Sequence, residues 1–120
     1  MLNLDTHILL ATLFGDLTDR EKGLIHRQSL AISDIVLWEM AKLAQMGRID
    51  IDFGGSMFRR ALRQLTVYPI SADIARQSTK LDFKSDPACE IIAATSIIER
   101  IPLLTRDKKI LKSKIVPFAK

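Results

Sequence analysis

Ser85-Asp86-Pro87-Ala88-Cys89-Glu90-Ile91-Ile92-Ala93-Ala94-Thr95-Ser96-Ile97-Ile98-Glu99-Arg100 is the stretch that decides the fold. Asp86 is a good N-cap, and Pro87 suits the first helical position, where its missing N–H costs nothing. The helix therefore starts with its positive dipole end beside Asp86, Cys89 and Glu90. Behind that head Ile91, Ile92, Ala94, Thr95 and Ile98 form an apolar face, and the small pair Ala93 and Ala94 allows close approach to a sheet. A rigid, partly acidic helix start at the edge of a core is the result.

Working outward, Ile101 to Thr105 is predicted as a strand, Asp107 to Lys112 as a short helix and Ile115 to Phe118 as a last edge strand, where Pro117 is tolerable. On the other side, Ser71 to Lys80 reads as a helix and Thr66 to Ile70 as a strand. From the start, Met1 to Asp5 reads as a buried strand ending in an acid, and Thr6 to Phe14 as an apolar helix closed by Gly15. Thr18 to Ser29 is amphipathic, with Thr18 and Glu21 at capping-box spacing. Leu30 to Ser33 is a strand, and Asp34 caps a helix from Ile35 to Met46 that ends at Gly47. Arg48 to Asp52 alternates as a short extended piece. After Gly54 and Gly55 comes a helix, Ser56 to Leu65, with Arg59 and Arg63 on one face.

Strands without a polar side, alternating with helices, predict a mostly parallel sheet of four to five strands covered on both faces, a three-layer α/β/α fold. At 120 residues this is one domain, 1–120, and 48% hydrophobic content is enough for its core. No run reaches the roughly 18 apolar residues of a membrane span, and a single cysteine, Cys89, agrees with a reducing compartment, so a cytoplasmic location and no membrane partner are expected. The net charge of +4 is uneven: Thr105 to Lys120 holds six bases against Asp107, a net +5. That tail is either a solvated face or a basic rim for a polyanion such as RNA.

In a parallel sheet, ligands bind beyond the carboxyl ends of the strands, where strand order reverses. Asp5 and Asp107 both fall at such ends. Glu39 shares a helix face with Ile35, Val36, Leu43 and Met46, so its carboxylate is carried on an apolar stripe. Each acid has an ordinary explanation: Asp5, Asp86 and Asp107 as helix caps, Glu39 as a partner of Lys42 or a snorkelling side chain. Converging in one crevice, however, they would repel unless a divalent cation sat between them, and hard oxygen donors suit Mg²⁺ or Mn²⁺. Phosphodiester hydrolysis is the matching chemistry. His7 and His26 have no partner at ligand spacing.

Leu-Asp-Thr-His at 4–7, Ser33, Trp38-Glu39-Met-Ala-Lys-Leu, Gly47-Arg48-Ile49, Asp86-Pro87 before Ile-Ile-Ala-Ala-Thr, and Leu-Thr-Arg-Asp at 104–107 together resemble a PIN domain, most nearly the VapC type of toxin from bacterial toxin–antitoxin pairs. The resemblance covers nearly the whole chain. It implies a metal-dependent endoribonuclease, frequent homodimers and inhibition by a VapB-like antitoxin whose tail enters the crevice. Carried over by residue, it makes Asp5, Glu39 and Asp107 catalytic metal ligands, with Asp86 as cap or outer ligand. From the residues themselves, Thr6, Ser33 and Thr105 are candidate hydroxyls to orient carboxylates or waters, and Arg59, Arg63, Arg106, Lys108 and Lys109 are candidate RNA contacts.

One position departs. The family usually writes Asp-Pro-x-Asp-Arg at this helix start, and here Cys89 stands at the ligand position. Three readings follow: three acids binding one ion more weakly, a catalytically impaired module that still binds RNA or antitoxin, or Glu90 or Asp86 replacing the lost ligand. The last is not automatic, because Glu90 points about 100° round the helix from residue 89. Phosphoryl transfer through Asp5 is disfavoured by His7, where a second acid would be expected.

Overall fold

A computed structural model describes residues 1–120. The chain runs β1 (Leu2–Leu4), α1 (Thr6–Phe14), α2 (Asp19–Ile25), β2 (Leu30–Ser33), α3 (Ile35–Gln45), α4 (Ser56–Arg63), β3 (Leu65–Tyr68), α5 (Ala72–Gln77), α6 (Pro87–Glu99), β4 (Leu103–Leu104) and α7 (Lys108–Leu111). The four strands form one sheet in the order β3-β2-β1-β4, every pair parallel. Asn3 faces both Ala31 and Leu103 across the sheet.

Leu2, Asn3 and Leu4 are all fully buried. Successive strand residues point to opposite faces, so both faces of β1 are covered, as expected from its unbroken apolar pattern. Asn3 faces α6, where its amide donates to the Ile92 carbonyl at 3.2 Å and the Ser96 hydroxyl at 2.9 Å. Leu4, Ile8, Ile32, Val36, Met40, Ile92, Leu103 and Ile110 belong to one core cluster, each such side chain contributing about 1.5–3 kcal/mol on burial. The chain steps from β1 to β2 to β3 in one direction, then crosses through α5 and α6 to β4 on the far side of β1. Strand order therefore reverses between β1 and β4, and the crevice of such a sheet opens at their carboxyl ends.

Several boundaries differ from expectation. Arg48 to Asp52 forms no strand; Ile51 and Phe53 instead pack on the core, with Phe53 edge-on to Phe58 at 4.8 Å. The expected fifth strand, Ile115 to Phe118, reduces to a single parallel bridge between Leu103 and Phe118, because Pro117 has no N–H with which to extend a ladder. Asp34 makes no cap bond to α3. Its Oδ2 accepts the Ile70 N–H at 3.3 Å, and the Ser33 hydroxyl accepts the Ile35 N–H instead.

Helix α6 ends on Arg100 in the left-handed conformation, φ 57°, the only non-glycine residue with positive φ. A side chain there costs about 1–2 kcal/mol relative to the right-handed region, and glycine is relieved of it at some loss of unfolded-state entropy. Arg100→Gly is expected to raise stability by about 0.5–1 kcal/mol, read as a higher denaturation midpoint in urea. An unchanged or lower midpoint would show that Arg100 makes a compensating interaction.

Candidate active site

The crevice at the β1/β4 switch point gathers the acids. Asp5 follows β1 directly and is 2% exposed. Its two oxygens are both engaged: Oδ1 accepts the Thr6 N–H at 2.7 Å, capping α1, and Oδ2 accepts the Thr105 hydroxyl at 2.6 Å. Glu39, half-buried on α3, accepts the Thr6 hydroxyl through Oε1. Asp107 caps α7, with Oδ1 accepting from Lys109 N at 2.8 Å and Ile110 N at 3.4 Å, while its own N–H donates to the Thr105 hydroxyl at 3.0 Å. The cap roles of Asp5 and Asp107 are thus real, and they coexist with placement in one crevice. The Glu39–Lys42 pair does not form: Lys42 reaches Gln45 at 3.3 Å and lies 5.8 Å from the centre of the Trp38 ring.

Cys89 reports on the field the acids make. Its thiol sits on the first turn of α6, where the helix dipole favours a thiolate, yet it is pushed up to about 12, first by burial and then by the charges of Asp5, Glu39 and Asp107. A hydrogen bond from Ser85 works the other way, outweighing the separate effect of either Glu39 or Asp107. All three acids therefore act on the same side chain. None of them is neutralised by a base, since the two ion pairs in the chain are Arg76–Asp73 and Arg106–Glu21.

This donor set suits a hard divalent cation in chemistry and charge. Its geometry is not closed on one: no three His, Cys, Asp or Glu side chains converge tightly enough to hold an ion as they stand. Holding one would require the carboxylates to draw closer together, and because each carboxylate oxygen carries two lone pairs the present hydrogen bonds can persist. Glu39 Oε2 and Asp107 Oδ2 are the oxygens that no donor reaches.

The other expected residues divide. Thr6 and Thr105 touch the acids, whereas Ser33, fully buried, serves α3. Asp86 occupies the N-cap position of α6 but makes no cap bond and is exposed; Glu90 instead accepts the N–H of Ser85, the residue before the cap, at 3.3 Å. Arg63 lies two residues before β3, hence beside the amino ends of the strands and away from Asp5 and Asp107, and Arg59 and Arg63 together line a shallow exposed depression with Leu62. Lys108, Lys109 and Arg106 are beside Asp107. A cavity of about 500 Å³ between α1 and the β4–α7 loop is lined by His7, Phe14, Asp16, Arg106, Asp107 and Lys108 among others.

Glu21 was legible in the sequence only as the acid of a capping box. That box is present, with the Thr18 N–H donating to Glu21 Oε1 at 2.9 Å, but the same carboxylate also binds Arg106 through two parallel hydrogen bonds of 2.7 and 2.8 Å. Arg106 above all, and then the Thr18 N–H, hold Glu21 down to about 2 despite its burial.

The family model described as PIN domain matches residues 3–115. The chain belongs to the PIN domain family. Among solved structures, this PIN domain is similar to a toxin–antitoxin complex from Klebsiella pneumoniae, at 28% identity and TM-score 0.71 over 93% of this chain and 91% of that one. It shares its fold with FitAcB from Neisseria gonorrhoeae (16% identity, TM-score 0.75, 99% and 97% covered). It also shares it with VapBC2 from Rickettsia felis bound to a promoter DNA fragment (17%, 0.67, 99% and 98%). A search of curated proteins gives no match. The resemblance read from the motifs is borne out at the level of the PIN family, with neighbours that are toxin–antitoxin complexes. No helix of the PIN domain is long and apolar enough to cross a membrane.

Proposed function

We propose that this PIN domain is a divalent-metal-dependent endoribonuclease of the VapC type, hydrolysing RNA phosphodiester bonds and neutralised by a cognate VapB-like antitoxin. The observation that carries the reading is a trio of carboxylates linked by two threonines, Asp5 and Glu39 through Thr6 and Asp5 and Asp107 through Thr105, with no basic partner. Unpaired carboxylates in a partly buried crevice are costly unless a cation joins them. The residues that would hold Mg²⁺ or Mn²⁺ are these three, with Cys89 a poor fourth because a neutral thiol is a weak ligand for a hard ion. Such an ion supplies Lewis-acid stabilisation of the scissile phosphate and a water activated for attack.

The chain's own part is to bind and orient. Thr105 and Thr6 hold Asp5 and Glu39 in place, and the exposed Lys108 and Lys109 at the rim would attract the RNA backbone. The antitoxin is proposed from the similarity to the Klebsiella toxin–antitoxin complex. A homodimer and a cytoplasmic location belong to the same reading.

A structured RNA incubated with purified protein is expected to be cut with Mn²⁺ or Mg²⁺ and left intact in excess chelator, cleavage returning when the ion is restored. No cleavage with either ion, by protein that melts cooperatively, would turn the reading to its alternative: a module that binds RNA or antitoxin without turnover because Cys89 has replaced an acid.

A further inference from the structure

Thr105, Arg106 and Asp107 are consecutive, and each is tied to something different. Thr105 donates to Asp5 Oδ2 at 2.6 Å and accepts the Asp107 N–H at 3.0 Å. Asp107 is fixed by the amides of Lys109 and Ile110. Arg106 binds α2 and the turn before it: Nε donates to Glu21 Oε2 at 2.8 Å, and Nη2 donates to Glu21 Oε1 at 2.7 Å and to the Asp16 carbonyl at 2.9 Å. Glu21 is 5% exposed and receives the Thr18 N–H as well, so its carboxylate cannot turn without breaking the start of α2. Helix α2 therefore grips the middle of a tripeptide whose two ends hold two of the three acids.

Two forces bear on that tripeptide when no cation is present. Asp5, Glu39 and Asp107 repel one another, which pushes the β4–α7 loop outward. The Arg106 guanidinium, next to Asp107 in sequence, would also be drawn to that carboxylate and occupy it. A two-pronged Arg–carboxylate contact is directional and strong enough to oppose both: it anchors the loop, and it commits the guanidinium to Glu21 on α2.

We infer that Glu21 is a positioning residue for the acidic site, acting through Arg106 to set the spacing of Asp5 and Asp107 and to keep the guanidinium off Asp107. This rests on the proposed metal site. It also gives Arg106 a different task from RNA contact, since its Nε and Nη2 are already engaged within the protein.

The test compares wild type, Glu21→Gln, Arg106→Lys and, as an exposed control on another helix, Asp73→Asn. Manganese binding is measured by calorimetry without RNA, and hydrogen exchange is measured at the Lys109 and Ile110 amides. Circular dichroism and melting verify the fold. Glu21→Gln should weaken Mn²⁺ binding by about 10- to 100-fold, the range found when residues orienting metal ligands are changed, and should speed exchange at both amides. Arg106→Lys, which keeps the charge but loses the fork, should do the same to a smaller degree, and Asp73→Asn should do neither. A folded Glu21→Gln protein with Mn²⁺ affinity within about twofold of wild type would overturn the inference. Should wild type itself bind no divalent cation, the metal reading fails, and amide exchange alone decides the clamp: faster exchange in Glu21→Gln supports it, unchanged exchange ends it.

Discussion

Replacing Asp5 by asparagine is expected to abolish divalent-dependent RNA cleavage while leaving the fold at least as stable as wild type. Asparagine is nearly the same shape. Its oxygen still accepts the Thr6 N–H that caps α1, and its NH₂ donates to the Thr105 hydroxyl where Asp5 Oδ2 now accepts from it at 2.6 Å. Asn and Asp are equivalent N-caps, so the helix start loses nothing. What disappears is a charge that is 2% exposed, lies in the field of two other acids and has no basic partner. Removing it relieves repulsion in the metal-free protein, and a gain of about 1 kcal/mol would raise the melting temperature by a few degrees.

Activity should move the other way. Altering residues that merely orient metal ligands costs about 10- to 100-fold, so loss of a ligand charge should cost at least about 100-fold in cleavage rate. The same melts repeated with Mn²⁺ separate the effects, because an ion that binds the native state stabilises it in proportion to its occupancy. Wild type should be stabilised and Asp5→Asn barely so. An asparagine variant cutting RNA at the wild-type rate would place the chemistry elsewhere in the molecule.

Asp5 and Asp107 could be paired from the sequence because each ends an apolar strand, and in a parallel sheet all such ends lie on one side. The structure adds that strand order reverses between β1 and β4, the strands these acids follow. Glu39 was visible through its helix face, Ile35, Val36, Leu43 and Met46, of which Val36 is buried and Ile35 and Leu43 pack on the core, whereas Met46 is exposed. Its partner was not: the Thr6 hydroxyl lies 33 positions away, and no local pattern marks that contact. The same holds for Glu21 and Arg106, 85 positions apart, whose pairing is decided by where α2 comes to rest.

Helix-face spacing has a related limit. It places Arg59 and Arg63 side by side but not at an end of the sheet, and only the short link from Arg63 to β3 sets that helix terminus beside the amino ends. Arg48 to Asp52 shows why alternation alone does not make a strand. β3 is an edge strand, yet these residues follow α3 into a turn region where Ile51 and Phe53 gain more from packing against the core.

Cys89→Asp is expected to tighten Mn²⁺ or Mg²⁺ binding by about tenfold or more and to make the metal-free protein less stable. The thiol is neutral at any physiological pH, because burial first and the three acids second push it up to about 12. Its contribution to stability is present below the thiol's ordinary value of 9.0 and fades as pH rises toward about 12, since only the unfolded chain ionises between those values. At neutral pH the thiol thus adds no charge to the crevice, neither repelling the acids nor attracting a cation.

An aspartate in its place reverses both facts. A fourth carboxylate repels three others in the absence of metal, at a cost of one to a few kcal/mol depending on how far its own protonation relieves it. Toward a divalent ion the same charge is attractive: at about 4 Å and an effective dielectric near 20, one pair of unit charges is worth about 4 kcal/mol before desolvation is subtracted. Even a third of that is about tenfold in affinity. Calorimetry with and without Mn²⁺, paired with melting of the chelated protein, reads both signs at once. If the aspartate protein is destabilised without metal but binds Mn²⁺ no tighter than wild type, then residue 89 faces the acids without facing the ion. If it binds more tightly and cleaves faster, the α6 head is a metal-ligand position that this chain fills with sulfur, and the thiol sets the activity of an otherwise complete site.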